Sequence, residues 1–412
     1  MRRKSPFNAV PFDYHEEIEF EISTLTNQGQ GLGRVRLPDS EPESVRWVVL
    51  VPFALPGDRI RGRVWRNHKN YSEADLLEVL EPSADRVDPP CPVFGTCGGC
   101  QYQNLSYSKQ LEWKRRQVSE LLRHLAKVEV AVDPVEPCPK AYGYRSKITP
   151  HFERPLPGRD LAIGFRPHGT FRGVVDVPRC LLATDAINER LAKVRQEVLE
   201  QGETYKRGAT LILRESHGGV TTDPNTIVHE DIADLTLCFP AAEFFQNNPF
   251  ILEVFTSHVR DEAVADGNRF LIDAYCGSGL FCLTASQSFE EATGIEISEL
   301  SIRWARKNAD ANDIGNCRFE VGDASSIFEA VTYSPDETAV VIDPPRKGST
   351  PEFLEQLIRF GPATVVYVSC NPATQARDLE VLYQGGYVIE RVRPFDLFPQ
   401  TRHLECVVTL KR

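Results

Sequence analysis

One cysteine, Cys370, stands where an apolar stretch of the chain gives way to a polar one. Residues 363–369 are mostly apolar and β-branched, which is typical of a strand buried on both faces, and the residues after Cys370 favour a helix. Asn371 is a good N-cap and Pro372 suits the first helical position, so the sequence predicts that a helix begins directly after Cys370. The partial positive charge at a helix N-terminus lowers the pKa of a nearby thiol. We therefore expect Cys370 to be a nucleophile rather than a small buried hydrophobic side chain.

A second set of residues, acids and glycines, lies where other apolar stretches end. Asp273 ends one stretch, and Gly277 and Gly279 after it allow a ligand to approach the backbone closely. Glu296 ends the next, about 20 residues on, where a carboxylate can accept hydrogen bonds from ribose hydroxyls. Asp323 ends the third and suits an adenine edge. A nicotinamide cofactor would need a further glycine for its phosphates, so this pattern predicts S-adenosylmethionine.

A fourth apolar stretch ends in Asp343-Pro344-Pro345-Arg346. The two prolines predict a stiff loop, with Asp343 beside the methyl group that is transferred. Enzymes that methylate exocyclic amines carry an aromatic residue after the prolines, which stacks on the base. Arg346 occupies that position here, so we expect it to contact a phosphate or carbonyl group of an RNA and to leave the attack to Cys370.

Three cysteines, Cys91, Cys97 and Cys100, lie within ten residues around a Gly-Gly pair. This spacing is typical of metal or cluster ligation in a cytosolic protein. A fourth ligand must come from elsewhere, and we favour Cys180, which follows a Pro-Arg turn, over Cys138. Thiolate ligation alone fits zinc and an iron–sulfur cluster equally well.

The rest of the chain must position these residues, and its pattern predicts an α/β protein in three parts. Residues 1–84 carry short strands between Gly and Pro turns, which favours a small OB-like barrel. Residues 85–238 hold the cysteine motif and a β-rich segment. From residue 239 to residue 412 strands and helices alternate, which predicts a Rossmann-like doubly wound sheet with an antiparallel final pair. Its seven predicted strands are 269–275, 292–297, 317–323, 338–343, 363–369, 387–395 and 404–411.

Basic residues give weaker indications of an RNA partner. Arg61 and Arg63 lie on one strand of the predicted barrel, near aromatic side chains, a make-up that suits phosphates and stacked bases. A solvated edge strand is the alternative for these two residues. Arg145 lies on a predicted strand of the central segment and is equally explained by an ordinary surface. Because the net charge is −11, any RNA site must be a local basic patch.

Composition places further bounds on the class of protein. The 11 cysteines are few for 412 residues, odd in number and clustered, which favours a reducing cytoplasm over a disulfide scaffold. No apolar stretch reaches the roughly 18 residues of a membrane span, and the amino terminus has no apolar run typical of a signal peptide. We expect a cytoplasmic monomer without a membrane partner.

Taken together, these motifs resemble the RNA uracil-5-methyltransferase family, over almost the whole chain from Ile18 to Leu410. The members it is most similar to combine an N-terminal TRAM domain, a cysteine-ligated [4Fe–4S] segment and a C-terminal methyltransferase domain. The most specific segments are Cys91-x5-Cys97-Gly-Gly-Cys100, Phe244-Phe245-Gln246-Asn247-Asn248, Asp343-Pro344-Pro345-Arg346, Ser369-Cys370-Asn371-Pro372 and His403-Leu404-Glu405.

The resemblance implies roles for individual residues. Cys370 would be the nucleophile and Glu405 the base. The cofactor contacts would include Gln246 and Tyr275, besides the acids named above, and the four cysteines would hold a [4Fe–4S] cluster. Leu280 departs from the family, because relatives often have a polar side chain there.

This chemistry accounts for a thiol and a carboxylate. Addition of a thiolate to carbon 6 of uracil makes carbon 5 nucleophilic, and a base must afterwards remove the hydrogen on carbon 5. The uracil has to leave its RNA helix to reach Cys370. This predicts that the substrate is a flipped loop uridine in tRNA or rRNA. Two other functions stay open: an amine or small-molecule methyltransferase of the same fold, and an RNA-binding protein that has lost catalysis.

Overall fold

The structure is a computed structural model that describes residues 8–37, 46–156, 158, 160–322, 327–329 and 331–412. The predicted cofactor residue Asp323 lies outside these ranges. The chain divides into two compact units. One takes in the described residues up to Gln117 with Arg166–Phe171 and Gln400–Arg402, and the other takes in the rest. The three-part division at residues 84 and 238 stays a prediction.

The first unit contains a closed barrel of five strands in the order β1-β2-β3-β5-β4. Its strands are β1 (Glu17–Leu25), β2 (Gln30–Val35), β3 (Trp47–Pro52), β4 (Arg59–Asn67) and β5 (Tyr71–Glu81). Burial alternates along β4, where Ile60 and Val64 point into the barrel core and the arginines between them point outward. The barrel predicted from short strands and turns is therefore confirmed.

The second unit begins within helix α1 (Tyr107–Leu121), which continues as a π-helix over Leu122–Ala126. Its next part is β-rich, as predicted, with small sheets in the orders β10-β7-β8-β9, β12-β11-β6 and β13-β14. The elements are β6 (Lys147–Ile148), β7 (His151–Phe152), β8 (Ile163–Phe165), β9 (Val175–Asp176), α2 (Asp185–Glu200), β10 (Ala209–Thr210), β11 (Leu213–Ser216), β12 (Gly219–Thr221), β13 (Ile227–Ile232) and β14 (Leu235–Pro240).

A seven-stranded sheet follows, in the order β17-β16-β15-β18-β19-β21-β20. All seven predicted strands are present, as β15 (Phe270–Ala274), β16 (Glu291–Glu296), β17 (Cys317–Val321), β18 (Thr338–Ile342), β19 (Thr364–Ser369), β20 (Val388–Phe395) and β21 (Glu405–Lys411). The first five are parallel, and β21 runs antiparallel to both of its neighbours, as the sequence predicts.

Helices pack on this sheet, and its central strands β15, β18, β19 and β21 are almost entirely buried, whereas the outer strands β17 and β20 carry exposed charged residues. The helices are α3 (Leu252–Val264), α4 (Leu280–Ala285), α5 (Glu299–Ala311), α6 (Pro351–Phe360) and α7 (Pro372–Gln384). Leu354 of α6 and Leu379 of α7 share one core with Ile272 and Val365 of the sheet. Because the strand centres are fully buried, polar residues are placed at the strand ends.

Among the described residues, no helix combines the length and the apolar character needed to cross a membrane.

Candidate active site

A cavity of about 660 Å³ opens at the carboxyl edge of the seven-stranded sheet. It lies where β15, β16, β18 and β19 end, the edge at which sheets of this kind bind ligands. Residues from five of the predicted motifs meet in its lining: Gln246, Tyr275, Gly277, Glu296, Asp343, Arg346, Cys370 and Glu405. A cavity of this size falls within the range of small-molecule sites.

The register of the sheet explains why Cys370 and Glu405 lie in one cavity. Cys370 directly follows β19, and Glu405 is the first residue of β21. The two strands are antiparallel, with Ser369 opposite Cys406. Cys370, which follows Ser369, therefore lies beside Glu405, which precedes Cys406. A thiol and a carboxyl group 35 positions apart in the sequence are thereby placed side by side.

Helix α7 begins as the sequence predicts. The Asn371 side chain accepts a hydrogen bond from the Ala373 N–H at 3.3 Å, and Pro372 is the first helical residue. The Ser369 hydroxyl accepts a hydrogen bond from the Asn371 N–H at 3.1 Å. These local bonds define the backbone on both sides of Cys370.

The loop after β18 is bound to the first turns of α7. The Arg346 carbonyl accepts hydrogen bonds from Asn371 Nδ2 at 2.9 Å and from Thr374 Oγ1 at 3.2 Å. Arg377 Nη2 donates to the Lys347 carbonyl at 3.0 Å. The position of the Arg346 guanidinium next to Cys370 therefore depends on the start of the helix that follows Cys370.

The prediction that the pKa of Cys370 is lowered is wrong for the structure of the chain alone. Burial, followed by the nearby carboxyl groups of Glu405 and Asp343, raises the pKa of the thiol to about 11, although Arg346 opposes this shift. Burial and the two acids therefore outweigh the effect of the helix N-terminus on which the prediction was based. Cys370 is thus a protonated thiol until something changes its surroundings.

The two carboxyl groups near Cys370 also favour their neutral forms. Burial raises the pKa of Asp343 to about 7. Burial and the adjacent Asp343 raise the pKa of Glu405 well above its usual range, and Arg346 opposes this shift. Acids that share a low-dielectric site cannot all ionise at once, so this part of the cavity favours a positively charged ligand.

The other half of the cavity fits the predicted cofactor. Glu296 accepts hydrogen bonds from the Gly277 N–H at 3.3 Å and the Ser298 N–H at 3.0 Å, so its carboxylate is held at the cavity wall. Asp273 is fully buried, and its Oδ1 has no hydrogen-bond partner among the described residues. Asp273 does not line the cavity, so the acceptor presented to a ligand here is the Glu296 carboxylate. S-adenosylmethionine, a cation with an amino group and ribose hydroxyls, matches this acceptor.

The turn after β15 has the backbone that a close ligand requires. Tyr275 has φ of +73° and Gly279 has φ of +93°, both in the left-handed region. A Cβ on Gly279 would also lie 2.8 Å from Leu283 Cδ1, so only glycine fits at the start of α4. Left-handed residues other than glycine are uncommon, and they cluster at ligand sites.

The predicted cofactor residues differ in how they meet the cavity. Gln246, Tyr275, Gly277, Glu296 and Asp343 line it. Asp273 and Gly279 are not part of the lining. The Asp273 carboxylate instead accepts the Cys282 N–H of α4 at 3.0 Å, and Gly279 lets that helix begin. Leu280, the departure from the family pattern, is a lining residue.

The structure adds lining residues that the sequence analysis did not single out. Phe244 is 79% exposed and Ile297 is 69% exposed, both at the cavity. Lys347 lines it next to Arg346. Ile297 and Lys347 each adjoin a predicted residue, and Phe244 lies within one of the quoted segments without a predicted role, so giving roles to the neighbours of each predicted residue would have found them.

The cysteine motif does not form a metal centre within the described part of the chain. No group of three or more His, Cys, Asp and Glu side chains there is arranged to hold a metal ion. Cys91, Cys97 and Cys100 belong to the first compact unit, and Cys180 belongs to the second. In the first unit Gln103 Nε2 donates to the Cys100 sulfur at 3.1 Å. A cluster held by the four cysteines stays a prediction.

The predicted RNA-binding arginines have different surroundings. Arg61 forms ion pairs with Glu19 at 3.1 Å and Glu78 at 3.0 Å, and Arg63 pairs with Asp75 at 3.2 Å. The basic strand β4 lies between two acidic strands, so this face of the barrel has alternating charges. RNA contact by these two residues stays a prediction.

The other two predicted RNA contacts lie in the second unit. Arg346 lines the cavity. The Arg145 Nε donates to the Lys147 carbonyl at 3.0 Å, which leaves its terminal nitrogens available to a ligand.

Comparison with known proteins agrees with this site. A family model described as tRNA (Uracil-5-)-methyltransferase matches residues 211–412, the range that holds the cavity. A tRNA (uracil(54)-C(5))-methyltransferase of Schizosaccharomyces pombe is 43% identical over 98% of this chain and 80% of its own length. The protein of the same description from Saccharomyces cerevisiae is 35% identical over 100% of this chain and 76% of its own length.

A solved structure shares the fold. The tRNA (uracil-54, C5)-methyltransferase of Pyrococcus abyssi, in complex with S-adenosyl-L-homocysteine, matches with a TM-score of 0.71 and 25% identity. The match covers 95% of this chain and 100% of that one.

Proposed function

This chain belongs to the tRNA (uracil-5-)-methyltransferase family of S-adenosylmethionine-dependent enzymes, and we propose that it methylates carbon 5 of uridine 54 in tRNA through Cys370 and Glu405. The tRNA substrate and the position within it are taken from the names of its relatives. One observation carries the mechanism: Cys370 and Glu405 line the same cavity as the cofactor-binding acids. An amine methyltransferase would need neither of these two residues.

Cys370 acts first in this proposal. Its thiol gives its proton to solvent once the cofactor is bound, and the thiolate sulfur adds to carbon 6 of uracil. The electron pair of the 5,6 double bond moves toward carbon 4, which leaves carbon 5 nucleophilic. Arg346 lies beside the sulfur and stabilises the thiolate by its positive charge.

Glu405 completes the reaction. When bound, S-adenosylmethionine supplies the methyl group and a positive sulfonium in this cavity. After carbon 5 has taken the methyl group, the Glu405 carboxylate removes the hydrogen on carbon 5. The double bond re-forms, the bond between sulfur and carbon 6 breaks, and the Cys370 thiolate is regenerated. The proton on Glu405 then passes to solvent, which balances the cycle.

The proton states of the cavity agree with this order of events. The pKa values of Cys370, Glu405 and Asp343 are all raised, mainly by burial. A group that adds positive charge to such a cavity lowers all three pKa values together. We therefore propose that Cys370 and Glu405 become anionic only in the cofactor-bound enzyme, which protects the thiol from other electrophiles.

The cofactor would be held by the lining residues already described. Glu296 would bind the ribose hydroxyls, Gln246 and Tyr275 would contact the cofactor, and Asp343 would frame the methyl group. Asp273 would support the turn by accepting the Cys282 N–H. Asp323, which is outside the described residues, is proposed from the sequence to meet the adenine.

The test is tritium release from tRNA labelled at carbon 5 of uracil, with transcripts that carry uridine or cytidine at position 54. We expect release from the uridine 54 transcript, none above background when position 54 is cytidine, and none with Cys370→Ala. Release from ribosomal RNA alone would move the proposal to an rRNA substrate. Methyl transfer without tritium release would favour an amine target, and cofactor binding without any transfer would favour an RNA-binding protein that has lost catalysis.

A second proposal rests on the cysteine motif and concerns no step of methyl transfer. We propose that Cys91, Cys97, Cys100 and Cys180 bind a [4Fe–4S] cluster in the cell. The support is the spacing of the cysteines and the resemblance to cluster-containing relatives. The arrangement of the described residues adds no support, because they hold no metal-binding group. Iron and acid-labile sulfide in equal amounts in anaerobically purified protein would support the cluster, and zinc in their place would contradict it.

A third proposal assigns the barrel to RNA binding, in the manner of a TRAM domain. The arginines in the middle of β4 are paired with acids, but its end is different. Trp65 is 39% exposed, and Arg66 and Lys69 are exposed and form no ion pair among the described residues. An exposed aromatic ring near two cations suits an RNA backbone and its bases.

A further inference from the structure

A second cavity, of about 350 Å³, lies in the β-rich part of the second unit and is not used by the mechanism above. Its wall includes Lys147 of β6, Val194 of α2 and Thr210 of β10. Thr149 and Thr222 add two further hydroxyl groups, and the remaining lining is mostly aliphatic. The cavity is large enough for one nucleotide, near the lower limit of small-molecule sites.

The charges beside this cavity are unusual for a folded sheet. Lys147 and Arg214 are directly opposite each other on the antiparallel strands β6 and β11, so their side chains are neighbours on one face. Like charges in this arrangement destabilise a sheet. Arg145, two residues before Lys147, lies within electrostatic reach of it and adds a third cation nearby.

These cations are not neutralised by direct ion pairs. Within the described part of the chain, none of the three forms an ion pair with a carboxylate. Lys147 Nζ donates instead to the carbonyls of Ala242 at 3.1 Å and Glu243 at 3.2 Å, which leaves its third N–H for a ligand. Arg214 is 1% exposed, and its Nη2 has no hydrogen-bond partner among the described residues.

Nearby acids do not cancel the positive charge of Lys147 and Arg214. Glu243 lies within electrostatic reach of Lys147, and Glu230 within reach of Arg214. Burial raises the pKa of Glu230 to about 7, so this acid is only partly charged at neutral pH. Burial and the nearby Arg214 lower the pKa of Lys147 to about 8, so the ammonium is still mostly protonated and gains from an anion.

We propose that this cavity is a second RNA-binding subsite, which takes one unstacked nucleotide of the substrate tRNA other than the methylated uridine, with its phosphate against Lys147. The aliphatic side chains accept the faces of the base. The threonine hydroxyls, which both donate and accept hydrogen bonds, suit its edge and the ribose. A lysine ammonium with one N–H directed away from the protein is a common partner of phosphate.

This inference rests on the proposed RNA substrate and extends it from one flipped nucleotide to two. RNA that is recognised in a loop is commonly splayed so that several bases leave the stack. A second captured nucleotide would hold the loop open while the target uridine enters the catalytic cavity. It would also let the enzyme distinguish a folded loop from an unstructured strand.

The test measures binding of an unmodified tRNA transcript to the whole enzyme by fluorescence anisotropy, over a range of salt concentrations. For Lys147→Met we expect weaker binding and a salt dependence reduced by about one phosphate contact, roughly 0.7–0.9 in the slope of log K against log salt. Thr222→Val should weaken binding without changing that slope. The matched control is Lys193→Met, because Lys193 is an exposed lysine that precedes Val194 and does not line the cavity.

Other results would overturn the inference. Binding by Lys147→Met with the slope of the wild type, in protein whose melting temperature is unchanged, would show that no phosphate lies at Lys147. A free nucleoside monophosphate that binds in a Lys147-dependent way while tRNA binding does not depend on Lys147 would assign the cavity to a free nucleotide. Absence of tritium release from every tRNA is a different result, which would contradict the proposed function and not this subsite.

Discussion

At the scale of single residues, the site combines groups whose surroundings oppose ionisation. Cys370 must be a thiolate to attack and Glu405 must be a carboxylate to accept a proton, but burial favours the neutral form of both. Arg346 is the described residue that opposes this effect at both groups. The two catalytic groups and one arginine therefore form a single electrostatic unit, and changing any one of them should alter the others.

Glu405→Gln should separate the two halves of the reaction. The amide resembles the protonated acid in shape, so attack by Cys370 and methylation of carbon 5 should proceed, but the hydrogen on carbon 5 should stay. We expect turnover to fall by about 10²–10⁴-fold, the usual contribution of a general base. A covalent complex of enzyme and methylated tRNA should accumulate and survive denaturing electrophoresis.

The double variant Cys370→Ala with Glu405→Gln is the control for this trapped complex and should form none. Turnover of Glu405→Gln at the rate of the wild type, with no adduct, would show that another group removes the proton.

Arg346→Gln should raise the pKa of the Cys370 thiol still further, because it removes the positive charge that lowers it. An opposite charge at short range is worth about 1–3 pKa units, so alkylation of Cys370 by iodoacetamide at a fixed pH near 8 should slow by about tenfold or more. In both proteins the rate should rise with pH, since the thiolate is the reactive form. Mass spectrometry of the peptide that contains Cys370 gives this rate without interference from other cysteines.

Arg359→Gln is the matched control, because Arg359 is an exposed arginine of α6 that does not line the cavity. If the two variants react at equal rates across the pH range, Arg346 does not influence the thiol.

At the scale of elements, the catalytic groups are positioned by one strand pairing and one helix start. The antiparallel pairing of β19 and β21 places Glu405 beside Cys370, and Asn371 both begins α7 and holds the Arg346 carbonyl. The helix cap therefore has two effects that can be separated by experiment, one on stability and one on the loop that carries Arg346.

Asn371→Ala should lower both stability and activity. Loss of an N-cap costs about 1 kcal/mol in the free energy of unfolding. Release of the Arg346 loop should lower kcat further, by about ten- to a hundred-fold, because small displacements of catalytic groups have effects of that size. The measurements are thermal unfolding and single-turnover methylation at saturating tRNA.

The comparison is with Thr184→Ala, which removes the side-chain cap of α2 at Thr184 and does not touch the catalytic cavity. A similar loss of stability with normal kcat is expected there. Equal losses of kcat in the two variants would mean that Asn371 matters only for folding.

The central strands β18, β19 and β21 were predictable because each is a short, mostly apolar run that is buried almost throughout. The short link before the last strand also predicted its antiparallel direction, and that direction is what brings Glu405 to Cys370. The start of α7 could also be predicted from adjacent residues, since Asn371 and Pro372 determine it. These features depend on residues close together in the sequence, or on a rule of sheet topology.

The remaining features depend on neighbours that the sequence does not place. The pKa of Cys370 is raised first by burial and then by Glu405 and Asp343, which lie at the ends of two other strands. Arg61 was predicted to contact RNA, but the strand register places Glu19 opposite it on β1, where the two side chains form an ion pair. Which acids touch a ligand and which support the turn, as Asp273 does, is a matter of side-chain packing beyond any motif.

At the scale of the whole molecule, the net charge of −11 opposes the approach of RNA. Long-range attraction cannot therefore supply the affinity, and phosphate contacts must come from local groups of cations. In the first unit most arginines of β4 are paired with acids, which leaves Arg66 and Lys69 beside Trp65 as its candidate contacts. Such a distribution of charge would weaken binding to RNA of arbitrary structure. It would retain a few phosphate contacts for an RNA whose folded shape matches the protein.

The double variant Arg66→Ala with Lys69→Ala tests this distribution. If both residues meet phosphates, the slope of log K for tRNA against log salt should fall by about 1.4–1.8, from roughly 0.7–0.9 for each contact. Arg61→Ala is the control and should leave the slope nearly unchanged, because its charge is already balanced by Glu19 and Glu78. A larger loss of slope for Arg61→Ala than for the double variant would mean that RNA displaces the acids from β4, and the barrel would then bind RNA through the paired arginines that the sequence first indicated.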